Sequence, residues 1–314
     1  MLRWGILGPG AVAAAKLAPA MLTVGHDLAA VGSRSRTRAQ SFAASHGFRR
    51  ARGSYREVVE AEDVDAVYIA LPNDLHEPWA VAALEAGKHV LCEKPLALDA
   101  AAAQRMAAAS ARSGKVLMEA VMARFHPRTD AWLQTLAEGV IGPVQTVHAA
   151  FGTIMGDALN YRARPEQGGG ALLDLGIYGV AASRWCTGEE PEGVAALRRR
   201  WDSGVDGATA AVLAFPGGAL ATIAASFDTA RHDLLTIAGP RGTLEVPQAF
   251  TASDDVEAAL LRDGRAIGAW RANPYERMLE HFAAVCGGAP PLLPVEDALA
   301  SAAVLDRIAA AAAR

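Results

Sequence analysis

The run Glu93-Lys94-Pro95 presents an ammonium group where a predicted strand ends. It follows the apolar residues 90–92, and Pro95 disfavours the helical conformation at Lys94, so the lysine is held on an extended segment. In open α/β sheets, ligands bind at the carboxyl ends of the strands. A solvated turn after a strand would show the same pattern, so the rest of the chain must decide.

A carboxylate and a phenol stand four residues apart farther along the chain. The glycines at 168–170 lead into a predicted helix, whose spacing places Asp174 and Tyr178 on one face. The two groups could move a proton, or both could bond to neighbouring backbone, as on many helices. Gly176 weakens a helix by about 1 kcal/mol relative to alanine, which is expected if another body, such as a cofactor ring, comes close.

A glycine turn near the start of the chain predicts a dinucleotide site. The apolar residues 2–7 form a predicted strand, Gly8-Pro9-Gly10-Ala11-Val12-Ala13 follows, and a predicted helix ends or kinks at Pro19. Gly8 and Gly10 allow backbone N–H groups to approach a pyrophosphate at a helix N-terminus. A plain tight turn is the alternative, but the position directly after the first strand favours the dinucleotide.

The second predicted strand ends in Ser33-Arg34-Ser35-Arg36-Thr37-Arg38. Enzymes selective for NAD usually place an acidic residue about 20 residues after the glycine turn, whereas arginine accommodates the 2′-phosphate of NADP. Ser33 can donate a hydrogen bond, Arg34 offers a planar fork to phosphate, and Arg36 or Arg38 adds positive potential from the start of the following helix. We therefore expect NADP in preference to NAD, with arginines that only solubilise a loop as the alternative.

Strands and helices alternate regularly through the first 120 residues. Strand 65–71 ends in Leu71-Pro72-Asn73, and Asn73 and His76 could line the nicotinamide. A helix cap at Asn73 or Asp74 and an exposed His76 are equally compatible with the pattern. The alternation predicts a doubly wound parallel sheet. The other predicted elements here are helices 55–60, 76–86 and 99–112, with Asp99 as cap, and strands 88–92 and 115–120.

The pattern changes after about residue 121. Closely linked strands predict a mainly antiparallel sheet, so the fold class is α/β, with a Rossmann domain at 1–121 and an α+β domain at 122–314. The predicted strands are 144–153, 208–215, 220–227, 234–238 and 243–246, and the predicted helices are 124–138, 273–286 and 296–313.

Composition argues against several classes of function. The 314 residues carry a net charge of -4, and the one basic cluster, 198–200, is short, so nucleic-acid binding is not expected. The three cysteines lack the paired spacing of a metal or redox site. No stretch is apolar enough to span a membrane and no signal peptide is evident, so we expect a cytoplasmic protein.

The glycine turn, Glu93-Lys94-Pro95 and the segment with Gly169, Asp174 and Tyr178 together resemble the glucose-fructose oxidoreductase/inositol dehydrogenase/rhizopine-catabolism (Gfo/Idh/MocA) family. The resemblance implies a Rossmann domain, a second domain with a large, mainly antiparallel sheet through which subunits associate, and NAD(P)-dependent chemistry on sugars or polyols. Tyr178 stands where many members have histidine. With Met118-Glu119-Ala120 and Arg124-Phe125-His126-Pro127, it resembles the branch of glucose-fructose oxidoreductase, dimeric dihydrodiol dehydrogenase and NADP-dependent xylose dehydrogenase.

The resemblance suggests roles for the three acid–base groups. Tyr178 would be the general acid/base, since a nearby ammonium lowers the usual phenol pKa of about 10 by favouring the phenolate. Lys94 would also bond to the substrate oxygen, and Asp174 would orient a substrate hydroxyl or Lys94. An alternative assignment makes Lys94 the base.

Further expectations concern the surroundings of these groups. Arg124, Tyr161 and Arg162 could form the substrate wall or lie in a solvated loop. Glu93 would fix the turn, and the Lys94-Pro95 bond could be cis. Two other functions stay open: a dinucleotide-binding sensor without catalysis, and an NAD-assisted glycoside hydrolase.

Overall fold

A computed structural model describes residues 1–155 and 160–313, and it divides into two compact units. The first comprises Met1–Ala120 with Tyr275–Leu299, and the second comprises Val121–Pro274 with Ala300–Arg314. The division predicted from the sequence assigns 275–299 to the second domain, whereas these residues pack with the first unit. The reason is a core contact, since Phe282 and Trp4 are both fully buried with ring centroids 5.2 Å apart.

The first unit contains the predicted parallel sheet. Its strand order is β3-β2-β1-β4-β5-β6, and every neighbouring pair is parallel. The order reverses between β1 and β4, which is where such sheets open a crevice for ligands. The strands are β1 (Arg3–Leu7), β2 (Asp27–Gly32), β3 (Arg50–Arg52), β4 (Ala66–Ile69), β5 (His89–Cys92) and β6 (Leu117–Glu119).

Helices connect these strands. A π-helical turn at Ala13–Leu17 runs directly into the first α-helix, which continues past Pro19 to Thr23, so the helix does not end at Pro19. Proline has no N–H to donate and its ring crowds the preceding turn, and here that turn is the wider π-helical one. The predicted cap at Asp99 is confirmed, since its Oδ1 accepts from the Ala102 N–H at 2.7 Å. The helices are α1 (Ala18–Thr23), α2 (Arg36–His46), α3 (Tyr55–Val59), α4 (His76–Glu85) and α5 (Ala100–Ser113).

The second unit contains an eight-stranded sheet in the order β14-β13-β12-β11-β7-β10-β9-β8. All its pairs are antiparallel except β7 with β10, so the mainly antiparallel prediction is confirmed. The strands are β7 (Thr146–Ile154), β8 (Gly193–Arg200), β9 (Asp206–Ala214), β10 (Leu220–Ser226), β11 (Asp228–Gly239), β12 (Gly242–Pro247), β13 (Ala258–Arg262) and β14 (Arg265–Trp270). Strands β3, β8, β13 and β14 are not among the predicted ones.

The remaining helices are α6 (Pro127–Ala137), α7 (Ile177–Thr187), α8 (Pro274–Cys286) and α9 (Val295–Ala311). The helix predicted to start at 124 begins at Pro127, after a separate 3-10 turn at Met122–Phe125, because proline favours a first helical position. Helix α7 packs on one face of the sheet, where a side chain at Gly179 would meet Ile223 and Ala149.

In the part of the chain that the structure describes, no helix has the length and apolarity that a membrane crossing requires. The three cysteines are free, as expected: Cys92 and Cys186 are buried and Cys286 is partly exposed.

Candidate active site

A cavity of about 370 Å³ opens beyond the carboxyl ends of β1, β2 and β4. It brings together three segments that the sequence assigns to the cofactor: the glycine turn, the serine–arginine segment and the residues after β4. The lining residues are Gly8, Pro9, Gly10, Ser33, Arg34, Ser35, Arg38, Tyr55, Ala70, Leu71 and Pro72.

The glycine turn leaves room for a group beside the backbone. Gly8 has a φ of +94°, and a Cβ there would lie 2.8 Å from the Ala70 carbonyl oxygen, so only glycine fits. At Gly10 the nearest neighbour of an added Cβ is that same oxygen at 3.7 Å, which leaves space above the turn. Ala11 and Val12 are exposed where the helical segment begins. This open turn fits a pyrophosphate.

The serine–arginine segment gives the cavity a positive rim. Ser33 is buried, and its Oγ accepts from the Ser35 N–H at 3.1 Å, whereas Arg34 and Arg38 are exposed. Ser35 caps α2 by accepting from the Arg38 N–H at 3.3 Å. Among the described residues that line the cavity there is no carboxylate. The rim is therefore suited to an anionic group.

His76 is fully buried, so the alternative of an exposed His76 is wrong. Its Nδ1 lies 2.9 Å from the Pro95 carbonyl oxygen and its Nε2 lies 3.0 Å from that of Leu71. Burial lowers the pKa of His76, and the two carbonyl groups act in the opposite direction. The imidazole thus connects the loop after β4 to the loop after β5. Asn73, also buried, begins the 3-10 turn Asn73–Leu75 that precedes α4.

The segment with Lys94 leaves the end of β5, and the Lys94-Pro95 peptide bond is cis. Glu93 is held at its backbone, where its N–H donates to the Ile69 carbonyl at 3.0 Å. It is also held at its side chain, where Oε1 accepts a hydrogen bond from the Tyr68 hydroxyl. Burial, and then Glu93, raise the pKa of Tyr68 well above that of an ordinary phenol, so Tyr68 stays a donor.

Asp174 and Tyr178 are both buried, with 8% of each residue exposed. Asp174 lies in a π-helical segment, Leu172–Gly176, and Tyr178 lies in the first turn of α7, so the uniform helix expected from the sequence is replaced by a locally wider turn. Asp174 Oδ2 accepts from Arg162 Nε at 2.7 Å.

The Tyr178 ring belongs to an aromatic cluster that the sequence does not reveal. Its centroid lies 5.5 Å from that of Phe250, at 26° between the planes, and 5.6 Å from that of Phe151. Phe151 belongs to β7 and Phe250 follows β12, so the folding of the sheet brings these two distant rings next to Tyr178. Packing of this kind restricts the rotation of the phenol.

Gly176 lies close to side chains of its own unit. A Cβ at this position would lie 2.9 Å from Leu172 Cδ1 and 3.6 Å from the Ala225 Cβ of β10. The close packing of this segment on the protein's own sheet is therefore one reason for a glycine at this position.

Asp206 of β9 positions the start of the segment that carries Asp174. Its Oδ2 accepts from the Leu172 N–H at 2.7 Å and from the Thr209 hydroxyl at 2.8 Å. Burial raises the pKa of Asp206, and these donors oppose the rise. A Cβ at Gly170 would lie 2.0 Å from Asp206 Oδ1, which explains why a glycine stands there.

The three residues expected at the substrate wall separate into two groups. Arg162 bonds to Asp174 and stacks over the Tyr161 ring, with 4.7 Å between its Cζ and the ring centroid. Arg124 instead pairs with Asp130 of α6 at 2.6 Å and lies 5.9 Å from the Trp185 ring centroid. Arg162, with the Tyr161 ring stacked on it, thus lies beside Asp174, whereas Arg124 contacts Asp130 of α6 and Trp185 of α7.

The sheet order, the glycine turn and the cavity define a dinucleotide-dependent oxidoreductase fold with a second, sheet-containing domain. The model of an oxidoreductase family with an NAD-binding Rossmann fold matches residues 2–121, and the GFO/IDH/MocA C-terminal domain matches 131–245. The chain therefore belongs to the Gfo/Idh/MocA family, and it is an NAD(P)-dependent enzyme that acts on CH–OH groups.

Relatives with named activities cover most of the chain. D-xylose 1-dehydrogenase (NADP(+)) 2 of Haloferax volcanii is 34% identical over 98% of this chain and 96% of its own length. Trans-1,2-dihydrobenzene-1,2-diol dehydrogenase of Bos taurus is 34% identical over 78% of this chain and 74% of its own. A crystal structure of a 3-ketoreductase from Actinomadura kijaniata with NADP and TDP-benzene has a TM-score of 0.92, at 31% identity over 99% and 97% of the two chains.

Proposed function

We propose that this enzyme uses NADP to oxidise or reduce a carbinol or carbonyl carbon of a sugar, a polyol or a dihydrodiol. The observation that carries the cofactor choice is the cavity rim, where Ser33, Arg34 and Arg38 stand in place of the acid that would bind an NAD ribose. Relatives named for NADP-dependent xylose oxidation and for dihydrodiol oxidation support the substrate class.

Residues of the first unit hold the cofactor in this proposal. The glycine turn, with Ala11 and Val12, receives the pyrophosphate at its N–H groups, and Ser33 with Arg34 and Arg38 binds the 2′-phosphate. Leu71, Pro72 and Asn73 follow β4 and border the nicotinamide half. His76 and Glu93 hold the neighbouring loops in place. His76 contacts the carbonyl oxygens of Pro95 and Leu71, and Glu93 bonds to Ile69 and Tyr68. When bound, the nicotinamide supplies the hydride acceptor or donor.

Three side chains manage the proton and the charge on the substrate oxygen. Lys94 donates a hydrogen bond to that oxygen, and the phenol of Tyr178 takes or returns the proton. Asp174 orients a neighbouring hydroxyl of the substrate. Its bond to Arg162 holds the carboxylate in one orientation. In the second assignment, Lys94 exchanges the proton and Tyr178 only binds the oxygen.

An absorbance assay at the reduced-nicotinamide band tests the proposal. NADP and NAD are each offered with aldoses, polyols, dihydrodiols and keto-sugars, and we expect turnover with NADP to exceed turnover with NAD. Replacing Lys94 by Met should reduce kcat by about a hundredfold or more while the Kd for NADPH changes little. Tyr178→Phe separates the two assignments, because only a proton-transferring phenol is indispensable. Higher activity with NAD, or a fully active Lys94→Met variant, would refute the proposal.

The second unit has a surface suited to another copy of the chain. On the face of the sheet opposite α7, outward residues of the central strands are small or apolar, and they surround a shallow depression of about 400 Å³. The exposed apolar side chains on this face are Val212, Leu220 and Leu234, together with Leu197 on the edge strand β8. A flat apolar face of this kind is rarely left in water, and a self-complementary face makes a closed dimer. We propose a homo-oligomer formed through this face.

A further inference from the structure

The segment that presents Lys94 is held on both sides by side chains from the neighbouring strands. Tyr68 of β4 donates from its hydroxyl to Glu93 Oε1, before the lysine. Glu119 of β6 accepts with Oε1 from the Leu96 N–H at 2.6 Å, after the lysine. Since β5 lies between β4 and β6, the turn is anchored from both directions of the sheet.

Glu119 is an unusual group to find at the end of a buried strand. Only 6% of the residue is exposed, and burying a carboxylate costs free energy unless hydrogen bonds compensate for its lost hydration. A bond from a backbone N–H to a carboxylate is charge-assisted, so it is stronger and more directional than a neutral one. The short distance to Leu96 agrees with such a bond. It fixes the backbone two residues after Lys94.

Tyr68 acts on the other side of the lysine. The residue has no exposed surface, and burial raises the pKa of its phenol so far that it remains a hydrogen-bond donor at every working pH. The Glu93 carboxylate is therefore fixed in one orientation directly before Lys94. A third contact, between His76 Nδ1 and the Pro95 carbonyl oxygen at 2.9 Å, holds the residue after the lysine.

We infer that Glu119 and Tyr68 are positioning residues for Lys94, acting through the backbone and side chain on either side of it. The inference rests on the proposed function, because it assumes that the ammonium must meet a substrate oxygen. A displacement of about 1 Å in a catalytic group can cost roughly a hundredfold in rate. Without these anchors, the turn from Glu93 to Leu96 could shift and carry the Lys94 ammonium away from the substrate oxygen.

The first test compares two replacements of Glu119. Glu119→Gln keeps an oxygen that can accept from Leu96, whereas Glu119→Leu removes the acceptor. We expect Glu119→Leu to lower kcat about tenfold or more with the Kd for NADPH within threefold of wild type, and Glu119→Gln to restore kcat to within threefold. An unchanged kcat in Glu119→Leu, or a Gln variant as slow as the Leu variant, would overturn the inference.

His26→Leu is the matched control for a loss of stability alone. His26 Nδ1 accepts from the Leu2 N–H at 3.3 Å, so this change also removes a buried acceptor of a backbone N–H. It lies beside the amino ends of the strands, away from the turn after β5. We expect a lower melting temperature with wild-type kcat. A fall in kcat equal to that of Glu119→Leu would show that stability, and not position, is responsible.

Tyr68→Phe provides a second variant that removes a single oxygen atom. We expect kcat to fall about fivefold or more while the Kd for NADPH stays within threefold of wild type, because the Glu93 carboxylate loses its fixed donor beside Lys94. A wild-type kcat would contradict the role of Tyr68.

Hydrogen exchange separates this inference from the proposed function. The Leu96 amide should exchange slowly in the wild type and in Glu119→Gln, and much faster in Glu119→Leu. This result does not depend on any substrate. If no offered substrate is turned over but the exchange pattern holds, the proposed function fails and the anchoring of the turn stands. Equal exchange in all three proteins would overturn the anchoring itself.

Discussion

At the scale of single residues, the proposed cofactor choice depends on the short loop after β2 and the first turn of α2. Arg34 and Arg38 line the cavity, whereas Arg36, the first residue of α2, is exposed and does not line it. This segment thus contains both a residue suited to a 2′-phosphate and a matched residue of the same charge. We expect the affinity for NADPH to depend on a cation placed directly at the 2′-phosphate and not on the net charge of the segment.

Replacing Arg34 by Asp should weaken NADPH binding by about tenfold or more and leave NADH binding equal or tighter, because a carboxylate repels the 2′-phosphate and accepts from a ribose hydroxyl. Fluorescence titration of both cofactors measures the effect. Arg36→Asp is the control with the same change in charge, and its two dissociation constants should stay within threefold of wild type. Equal losses in both variants would mean that only the overall charge matters.

At the scale of elements, the glycine run before Asp174 is a packing requirement. Gly170 has a φ of +119°, and a Cβ there would overlap Asp206 Oδ1, which itself holds the segment at Leu172. Gly188, at the end of α7, has a φ of +67° with no atom within 4 Å of an added Cβ. Both positions favour glycine because φ is positive. Only at Gly170 would a side chain also collide with another residue.

Gly170→Ala should therefore lower the free energy of unfolding by about 3 kcal/mol, since backbone strain and a displaced Asp206 add together. Gly188→Ala should cost only about 1 kcal/mol, from strain alone. Urea titration measures both values, and kcat should fall only in Gly170→Ala, because Asp174 moves with its segment. Similar losses of stability in the two variants would count against the contact with Asp206.

At the scale of the whole molecule, the apolar sheet face should control assembly. Val212→Glu places a charge in the middle of this face, whereas Leu22→Glu makes the same kind of change at an exposed leucine on α1. Light scattering should give the mass of a single chain for the first variant and the wild-type mass for the second, because burying an unpaired carboxylate opposes association. A wild-type mass for Val212→Glu would refute assembly through this face.

Buried histidines in the first unit should make the protein sensitive to acid. Burial lowers the pKa of His26, His76 and His89 below their ordinary value of 6.5. The unfolded chain then binds more protons than the folded one, so this part of the stability is present above pH 6.5 and is lost as pH falls through the lowered pKa values.

The free energy of unfolding should therefore fall between about pH 7.5 and pH 5.5. The double variant His26→Gln with His89→Gln keeps acceptors for the Leu2 and Val116 N–H groups but has no proton to gain. Urea titrations at the two pH values should show a smaller fall for this variant. A fall as large as in the wild type would place the acid sensitivity elsewhere.

The amino-acid sequence by itself determined what depends on neighbours along the chain. Alternating strands and helices predicted the parallel sheet, and the conformational demands of Gly8 and Pro95 marked the two turns at its carboxyl edge. These features follow from backbone conformational preferences that act over a few residues, so they can be predicted from the sequence.

Tertiary structure decided what joins distant parts of the chain. It paired Arg162 with Asp174, set Phe151 and Phe250 beside Tyr178, placed Ala225 of the sheet close to Gly176, and packed residues 275–299 into the first unit. Each of these contacts depends on which surfaces bury the most apolar area together and which buried charges find partners. Those conditions are met only when the whole chain has folded, so no local sequence pattern could predict these contacts.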